Sequence, residues 1–168
     1  MFQKYDPPLF FVTFCTANRR RIVASKCAHE TLVAYGRNAI DHNIALGRYV
    51  IMPDHIHLFV AGDHKFDLGI WVRGLKRVVA AAVTGGRHEK DSAAETAAAT
   101  TMRAISRIPR SPLSAGFWRR GFFDHLIRNG GSYSQKWNYV RDNPIRAGLV
   151  VSREEWPYQG EIVEIDHE

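Results

Sequence analysis

The chain has 168 residues and a mass of 19.1 kDa, which suits one compact domain; a (β/α)₈ barrel would need roughly 250 residues. Hydrophobic residues make up 45% and charged residues 24%, a globular mixture that excludes wholesale disorder. Lys and Arg outnumber Asp and Glu by 23 to 17, giving a net charge of +6 and a pI near 9.6. A basic excess of this kind favours a polyanionic partner, most often nucleic acid.

The cysteines and the lengths of the apolar runs indicate the cellular compartment. Cys15 and Cys27 form no Cys-x-x-Cys pair, so the sequence predicts neither a zinc ribbon nor a disulfide framework. The longest early apolar run, Leu9 to Phe14, is far shorter than the ~20 residues of a membrane span. The N-terminus shows no apolar signal-peptide stretch. We therefore expect a cytoplasmic protein with no membrane partner.

The first half of the chain predicts alternating strands and helices. Leu9–Cys15 is rich in aromatic and β-branched residues, which is typical of a strand. A helix is expected from Ser25 or Lys26 to about Asp41, since apolar residues recur there at helical spacing. Ala45–Met52 and His55–Val60 flank a Pro-Asp turn and predict a hairpin. A second helix fits Asp67 to about Val83.

This order of elements is most of a ferredoxin-like split β-α-β unit, so the predicted fold class is mixed α/β (α+β). Residues 84–115 interrupt it with a low-complexity stretch, interpreted as an insertion within a single domain of residues 1–168. The last strand is predicted around Phe117-Trp118 and Gly121–Phe123. A third helix should start at Ser132, with a capping box to Gln135, and stop near Asn143 before a proline.

Two histidines are the first candidates for chemistry. His55 and His57 are two apart on a predicted strand, so both imidazoles should project from the same face. Each ring can bring one nitrogen to ~2.1 Å from a shared divalent cation. Two ligands do not complete a metal site, so at least one more is required. The spacing alone also fits two half-exposed histidines that bind nothing.

A tyrosine and an asparagine on the third predicted helix are the next candidates. Tyr139 and Asn143 are four apart and therefore share a face. The apolar stripe of this helix is Tyr133, Trp137 and Val140, which leaves Tyr139 on a more polar side. Tyr139 is then either a surface residue or a nucleophile, and a tyrosine nucleophile needs a base or a metal-polarised electrophile.

Basic residues occur in clusters, one of which is interleaved with aromatic residues. This mixture suits a surface that follows a single-strand backbone and stacks its bases, although each cluster could equally be a solvated basic face. The candidate DNA-binding residues are Arg19, Arg20, Arg21, Arg73, Lys76, Arg77, Arg119, Arg120, His125 and Arg128.

Four segments together carry a family resemblance: Phe11–Phe14, Tyr49–Leu58, Gly121–Arg128 and Tyr139–Val150. In this order and spacing they resemble the REP-associated tyrosine transposases, relatives of the single-domain transposases of bacterial insertion sequences. These belong to the HUH (His-hydrophobe-His) nucleases. The resemblance spans about Leu9 to Tyr158 and rests on the four segments occurring together.

The resemblance implies a ferredoxin-like domain with helices packed on an antiparallel sheet. It implies that His55 and His57 hold a divalent metal, Mg²⁺ or Mn²⁺, with Asn143 as third ligand where insertion-sequence relatives carry Gln. Tyr139 would be the nucleophile of a metal-dependent endonuclease and strand transferase that forms a 5′-phosphotyrosine. The partner would be single-stranded DNA hairpins of REP-like palindromes, and we expect a monomer rather than a dimer.

Two other functions remain open from the residues. One is a non-catalytic single-strand-binding module, because ferredoxin-like sheets bind single strands by stacking. The other is a metal-dependent hydrolase that uses His55, His57 and water. A binding module would show salt-sensitive affinity without cleavage, and a hydrolase would cleave without a trapped tyrosine adduct.

Overall fold

The structure is a computed structural model that describes residues 7–85 and 116–166. The strands in these ranges are β1 (Leu9–Cys15), β2 (Ile44–Ile51), β3 (His55–Gly62), β4 (Phe123–Ile127) and β5 (Gln159–Glu161). They pair antiparallel in the order β4-β1-β3-β2-β5. The helices are α1 (Lys26–Ala39), α2 (Leu68–Gly85), α3 (Gly130–Arg141) and the single turn α4 (Asn143–Arg146). The predicted mixed α/β fold with an antiparallel sheet is confirmed.

The two faces of the sheet carry separate cores. On one face, alternate residues of β3 such as Leu58 join a cluster with Leu32 of α1 and Leu75 of α2. On the other face, Phe59 packs its ring 4.6 Å from Tyr133 of α3. This alternation follows from the two-residue period of a strand. It places α3, and any chemistry that α3 supplies, over the face to which His55 and His57 belong.

Helix boundaries agree with the sequence expectation except at the start of α3. That helix begins at Gly130, because Asn129 is the N-cap and its side chain accepts a hydrogen bond from the Ser132 backbone N–H at 2.8 Å. The expected capping box starting at Ser132 is therefore wrong. Asparagine is as good an N-cap as serine, so Asn129 can cap the helix three residues before Ser132. The predicted stripe of Tyr133, Trp137 and Val140 does face the core.

The last predicted strand is also displaced. It begins at Phe123, whereas Trp118 forms only an isolated bridge with Thr16. Phe117 and Trp118 are buried against the α1–α2 core, and the Trp118 indole N–H donates to the Lys76 carbonyl at 2.7 Å. The aromatic pair therefore anchors the approach to β4, which explains its strand-like composition.

One strand was not predicted, and one prediction falls on residues that the structure does not describe. The short edge strand β5 pairs with β2 and was not predicted. The proposed insertion at 84–115 lies outside the described residues, except that Thr84 and Gly85 complete α2. Among the helices of the described ranges, none combines the length and apolarity needed to cross a bilayer.

Candidate active site

The two histidines lie side by side on β3. Their ring centroids are 4.6 Å apart, and the rings meet edge to face. His57 is cross-strand from Thr13 of β1, and its ring stacks on Phe11 at 5.5 Å. The expectation that both imidazoles share one face is confirmed.

One nitrogen of each imidazole is fixed by a neighbour. His55 Nδ1 donates to the Asp54 carboxylate at 2.6 Å, and the other oxygen of Asp54 pairs with Arg19 Nε at 2.8 Å. His57 Nδ1 hydrogen-bonds with Thr13 Oγ1 at 2.7 Å. These contacts orient both rings and leave Nε2 as the second nitrogen of each. Metal-binding histidines in proteins show this arrangement, with one nitrogen on the metal and the other on an oxygen.

Burial favours the neutral form of both imidazoles. Burial, reinforced by the charges of His55 and Arg146, lowers the pKa of His57 to about 3. Burial also lowers the pKa of His55, although Asp54 opposes the shift. For Asp54, burial raises the pKa, but hydrogen bonding and the charges of His55 and Arg19 together bring it below its usual value. Neutral imidazole is the form that ligates a metal ion.

Tyr139 stands at an open cleft between α3 and β4. Its side chain is 63% exposed although it belongs to an ordered helix. The cleft has a volume of about 440 Å³ and is lined by His125, Ile127, Ser132, Gln135, Lys136 and Tyr139. A large phenol left exposed in a cleft with polar neighbours is accessible to a substrate, as a nucleophile must be.

The cleft and the histidine pair adjoin each other. The Lys136 ammonium lies 5.0 Å from the centroid of the Phe11 ring, and that ring stacks on His57. Lys136 is also among the charges that lower the pKa of His57. The Phe11 ring therefore connects the cleft residue Lys136 with His57.

The break between α3 and α4 positions Asn143. Helix α3 ends at Arg141 and α4 begins at Asn143, because Pro144 cannot continue the hydrogen bonding of α3. After this turn, the Arg146 side chain lies against the C-terminal end of α3. The Arg146 guanidinium lies 4.0 Å over the Tyr139 ring, and its Nη2 donates to the Tyr139 carbonyl at 2.5 Å and to Asn143 Oδ1.

The predicted basic residues occupy different environments. Arg19 is committed to Asp54, and Arg20 Nη2 donates to the Gly116 carbonyl at 2.6 Å. The Lys76 ammonium donates to the carbonyls of Arg119 and Gly121 at 3.0 and 2.9 Å, so it holds the loop before β4.

His125 lines the cleft with Tyr139. Arg77 is half-buried, and the remaining members are exposed: Arg21, Arg73, Arg119, Arg120 and Arg128. Their roles in DNA binding remain predictions.

Three residues around the site escaped sequence reasoning. Thr13 could be matched to His57 only once the β1–β3 register was known. Asp54 was taken only as part of a turn, although it directly precedes His55. Arg146 lies in the segment Tyr139–Val150 with no role assigned, and its position three residues after Asn143 is the spacing of a contact across one helical turn.

The ligand set is not one of acidic and thiol groups. Within residues 7–85 and 116–166, no group of three or more His, Cys, Asp or Glu side chains is arranged to hold a metal ion. The family resemblance adds the Asn143 amide oxygen to the two imidazoles, and such a mixed nitrogen and oxygen set would suit Mg²⁺ or Mn²⁺ better than a structural zinc.

Comparison with known proteins finds one matching family model and similar proteins. The sequence model of the family described as "Transposase IS200 like" matches residues 10–143. A Haemophilus influenzae protein named "Putative REP-associated tyrosine transposase" is 24% identical over 151 residues, covering 89% of this chain and 77% of that protein. A second H. influenzae protein, of uncharacterized function by its name, is 22% identical over 152 residues, covering 81% and 79%.

A solved structure shares the fold. It is that of a REP-associated tyrosine transposase bound to a REP hairpin, and it aligns with a TM-score of 0.63 over 99% of this chain and 95% of the other. The sequences are 17% identical in that alignment, so the likeness concerns the fold. The resemblance drawn from the four sequence segments is confirmed.

Proposed function

The chain belongs to the IS200-like transposase family, a family of enzymes, and we propose that it cuts and rejoins single-stranded DNA through Tyr139 with a divalent metal. Two observations on one side of the sheet support this most strongly: Arg146 contacts both the exposed Tyr139 and the Asn143 amide, and the two imidazoles of β3 lie together with each Nδ1 held by an oxygen. The experiment is incubation with a single-stranded hairpin and Mn²⁺, scored for a covalent protein–DNA species.

The residues present fit a divalent cation. His55 and His57 would each offer Nε2, since Nδ1 is already bound to an oxygen. Asn143 would add Oδ1, whose carbonyl oxygen has two lone pairs and can accept both Arg146 and a metal. A cation bound there would act as a Lewis acid on the scissile phosphate.

The side chains would divide the chemistry as follows. The Tyr139 oxygen attacks phosphorus, loses its proton, and becomes bonded to the 5′ side of the break. The bond from phosphorus to the 3′ oxygen breaks, and that oxygen leaves as a hydroxyl. The phosphodiester is conserved in the 5′-phosphotyrosine, so another 3′ hydroxyl can reverse the step and join a new strand. Lys136, which lines the cleft, would supply positive charge beside the phosphate.

A DNA path is suggested by β4. Phe123 and His125 are cross-strand from Thr13 and Phe11, so they share the face of the histidine pair. Phe123 is 60% exposed and His125 lines the cleft. Exposed rings beside Lys and Arg side chains bind unpaired bases by stacking. The strand to be cut would therefore run along β4 into the cleft.

Substitution of Phe123 tests this path. We expect Phe123→Ala to weaken binding of a single-stranded oligonucleotide by about 5- to 150-fold, the range of ~1–3 kcal/mol for one stacked base. The melting temperature should stay unchanged, because the ring is mostly exposed. Leu126→Ala is the matched control, since Leu126 is 41% exposed on the opposite face of the same strand. Equal affinity losses in both variants would argue against the path.

Asp54 provides a test of the metal site. We expect Asp54→Ala to lower the affinity for Mn²⁺ by roughly 10- to 100-fold, because His55 loses the acceptor that orients it. Isothermal titration without DNA measures the effect. Arg19→Ala removes the outer ion pair, in which Arg19 is 59% exposed, and a contact from Arg19 Nη1 to Cys15 Sγ. Neither contact touches an imidazole, so the affinity should change less than about 3-fold. A full-affinity Asp54→Ala protein would contradict the assigned orientation.

The partner and setting follow from the same proposal. The related structure was solved with a REP hairpin, which makes REP-like single-stranded hairpins the first substrates to test. The basic charge of the chain fits such a partner. A cytoplasmic monomer remains our expectation, and size-exclusion chromatography with light scattering measures the oligomeric state.

A further inference from the structure

Arg146 contacts both members of the nucleophile–ligand pair. Its guanidinium covers the Tyr139 ring at 4.0 Å, and the same group donates to Asn143 Oδ1. Its charge also acts on His57. The sequence assigned His55, His57 and Asn143 to the metal and Tyr139 to nucleophilic attack, and gave Arg146 no role.

We propose that Arg146 is a positioning residue that orients the Asn143 amide for metal binding and holds the Tyr139 ring beside it. This inference rests on the proposed function. It assigns to the NPIR turn, residues 143–146, the task of coupling the nucleophile to the third ligand.

The chemistry of the guanidinium supports this role. An arginine has only hydrogen-bond donors, so a contact with the Asn143 side chain selects the carbonyl oxygen and turns the amide nitrogen away. The oxygen keeps a second lone pair for a cation. The planar guanidinium also stacks on an aromatic ring, which a lysine ammonium cannot do.

Capping of α3 explains only part of the arrangement. The last carbonyls of a helix lack partners within the helix, and basic side chains often bind them. The bond from Arg146 to the Tyr139 carbonyl is of this kind. The stacking on the phenol ring and the bond to Asn143 are additional, and both would be absent from a simple cap.

The test measures Mn²⁺ binding in the absence of DNA. We expect Arg146→Ala to weaken Mn²⁺ binding about 10-fold, as loss of an orienting contact does. At saturating Mn²⁺ its single-turnover rate of adduct formation should still be about 100-fold lower, because the phenol is no longer held in place. Arg146→Lys should recover most of the Mn²⁺ affinity but not the rate. The melting temperature should shift by less than about 2 °C, since the side chain is exposed.

Arg153→Ala is the matched control. Arg153 pairs with Asp142 at 2.9 Å, so its loss removes a guanidinium contact one residue from Asn143 and leaves the assigned contacts in place. Unchanged Mn²⁺ affinity in Arg146→Ala, or an equal loss in Arg153→Ala, would overturn the inference. If the wild-type chain bound no Mn²⁺, the proposed metal site itself would be wrong, and the two failures are thereby distinguished.

Discussion

Tyr139→Phe should form no covalent adduct with single-stranded hairpin DNA, while binding the hairpin with wild-type affinity. The substitution removes the oxygen that attacks phosphorus and keeps the ring on which Arg146 stacks. Because the side chain is 63% exposed, the fold loses no buried contact. A denaturing gel with labelled DNA measures the adduct, and a binding titration measures the affinity.

A second tyrosine serves as the control for this prediction. Tyr158→Phe removes a hydroxyl from a ring that packs 5.5 Å from Trp156, and the adduct yield should equal that of the wild-type protein. An undiminished adduct in Tyr139→Phe would mean that another residue attacks the DNA. Loss of hairpin binding in Tyr139→Phe would mean that Tyr139 acts mainly in recognition.

His57→Gln should abolish Mn²⁺ binding and lower the rate of adduct formation by roughly 100-fold or more, since one of three proposed ligands is lost. EDTA should have a comparable effect on the wild-type protein, and added Mn²⁺ should restore only the wild-type activity. Titration calorimetry and the gel assay measure the two effects. Cleavage by His57→Gln at the wild-type rate would exclude this metal site.

Because His57 is largely buried, His57→Gln could also lower the stability of the fold. A second substitution that keeps the imidazole separates the two effects. Thr13→Val removes only the hydroxyl that binds His57 Nδ1 and preserves the shape of the side chain. We expect Mn²⁺ affinity to fall about 10-fold with an unchanged melting temperature. Together the two variants separate loss of a ligand from loss of the fold, and a Thr13→Val protein with wild-type affinity would show that the hydroxyl does not orient the ring.

Most strands of the sheet could be predicted from the sequence, because their own residues favour strand structure. β1 and the β2–β3 hairpin combine apolar, β-branched runs with a Pro-Asp turn, and their positions match. The start of β4 was misplaced because Phe117 and Trp118 have strand composition but pack as anchors. Nothing local marks β5, whose three residues become a strand only through pairing with β2.

In the candidate site, too, the features set by local spacing were predictable, and the contacts set by strand register and by the turn at Pro144 were not. The shared face of His55 and His57 follows from the period of a strand, and the exposure of Tyr139 follows from the stripe on its helix. The oxygens on the imidazoles could not be assigned in advance, because Thr13 reaches His57 only through strand register. The Arg146 contacts depend on how the chain turns at Pro144, which spacing alone does not determine.

The most direct test of the central claim is to locate the covalent bond. The wild-type protein is incubated with a single-stranded hairpin and Mn²⁺, digested with protease, and the DNA-linked peptide is sequenced by mass spectrometry. Our account predicts a peptide that contains Tyr139 joined to a 5′ phosphate, with a free 3′ hydroxyl on the released strand. A bond at another residue, a linkage to a 3′ phosphate, or cleavage that leaves an unlinked 5′ phosphate would contradict it.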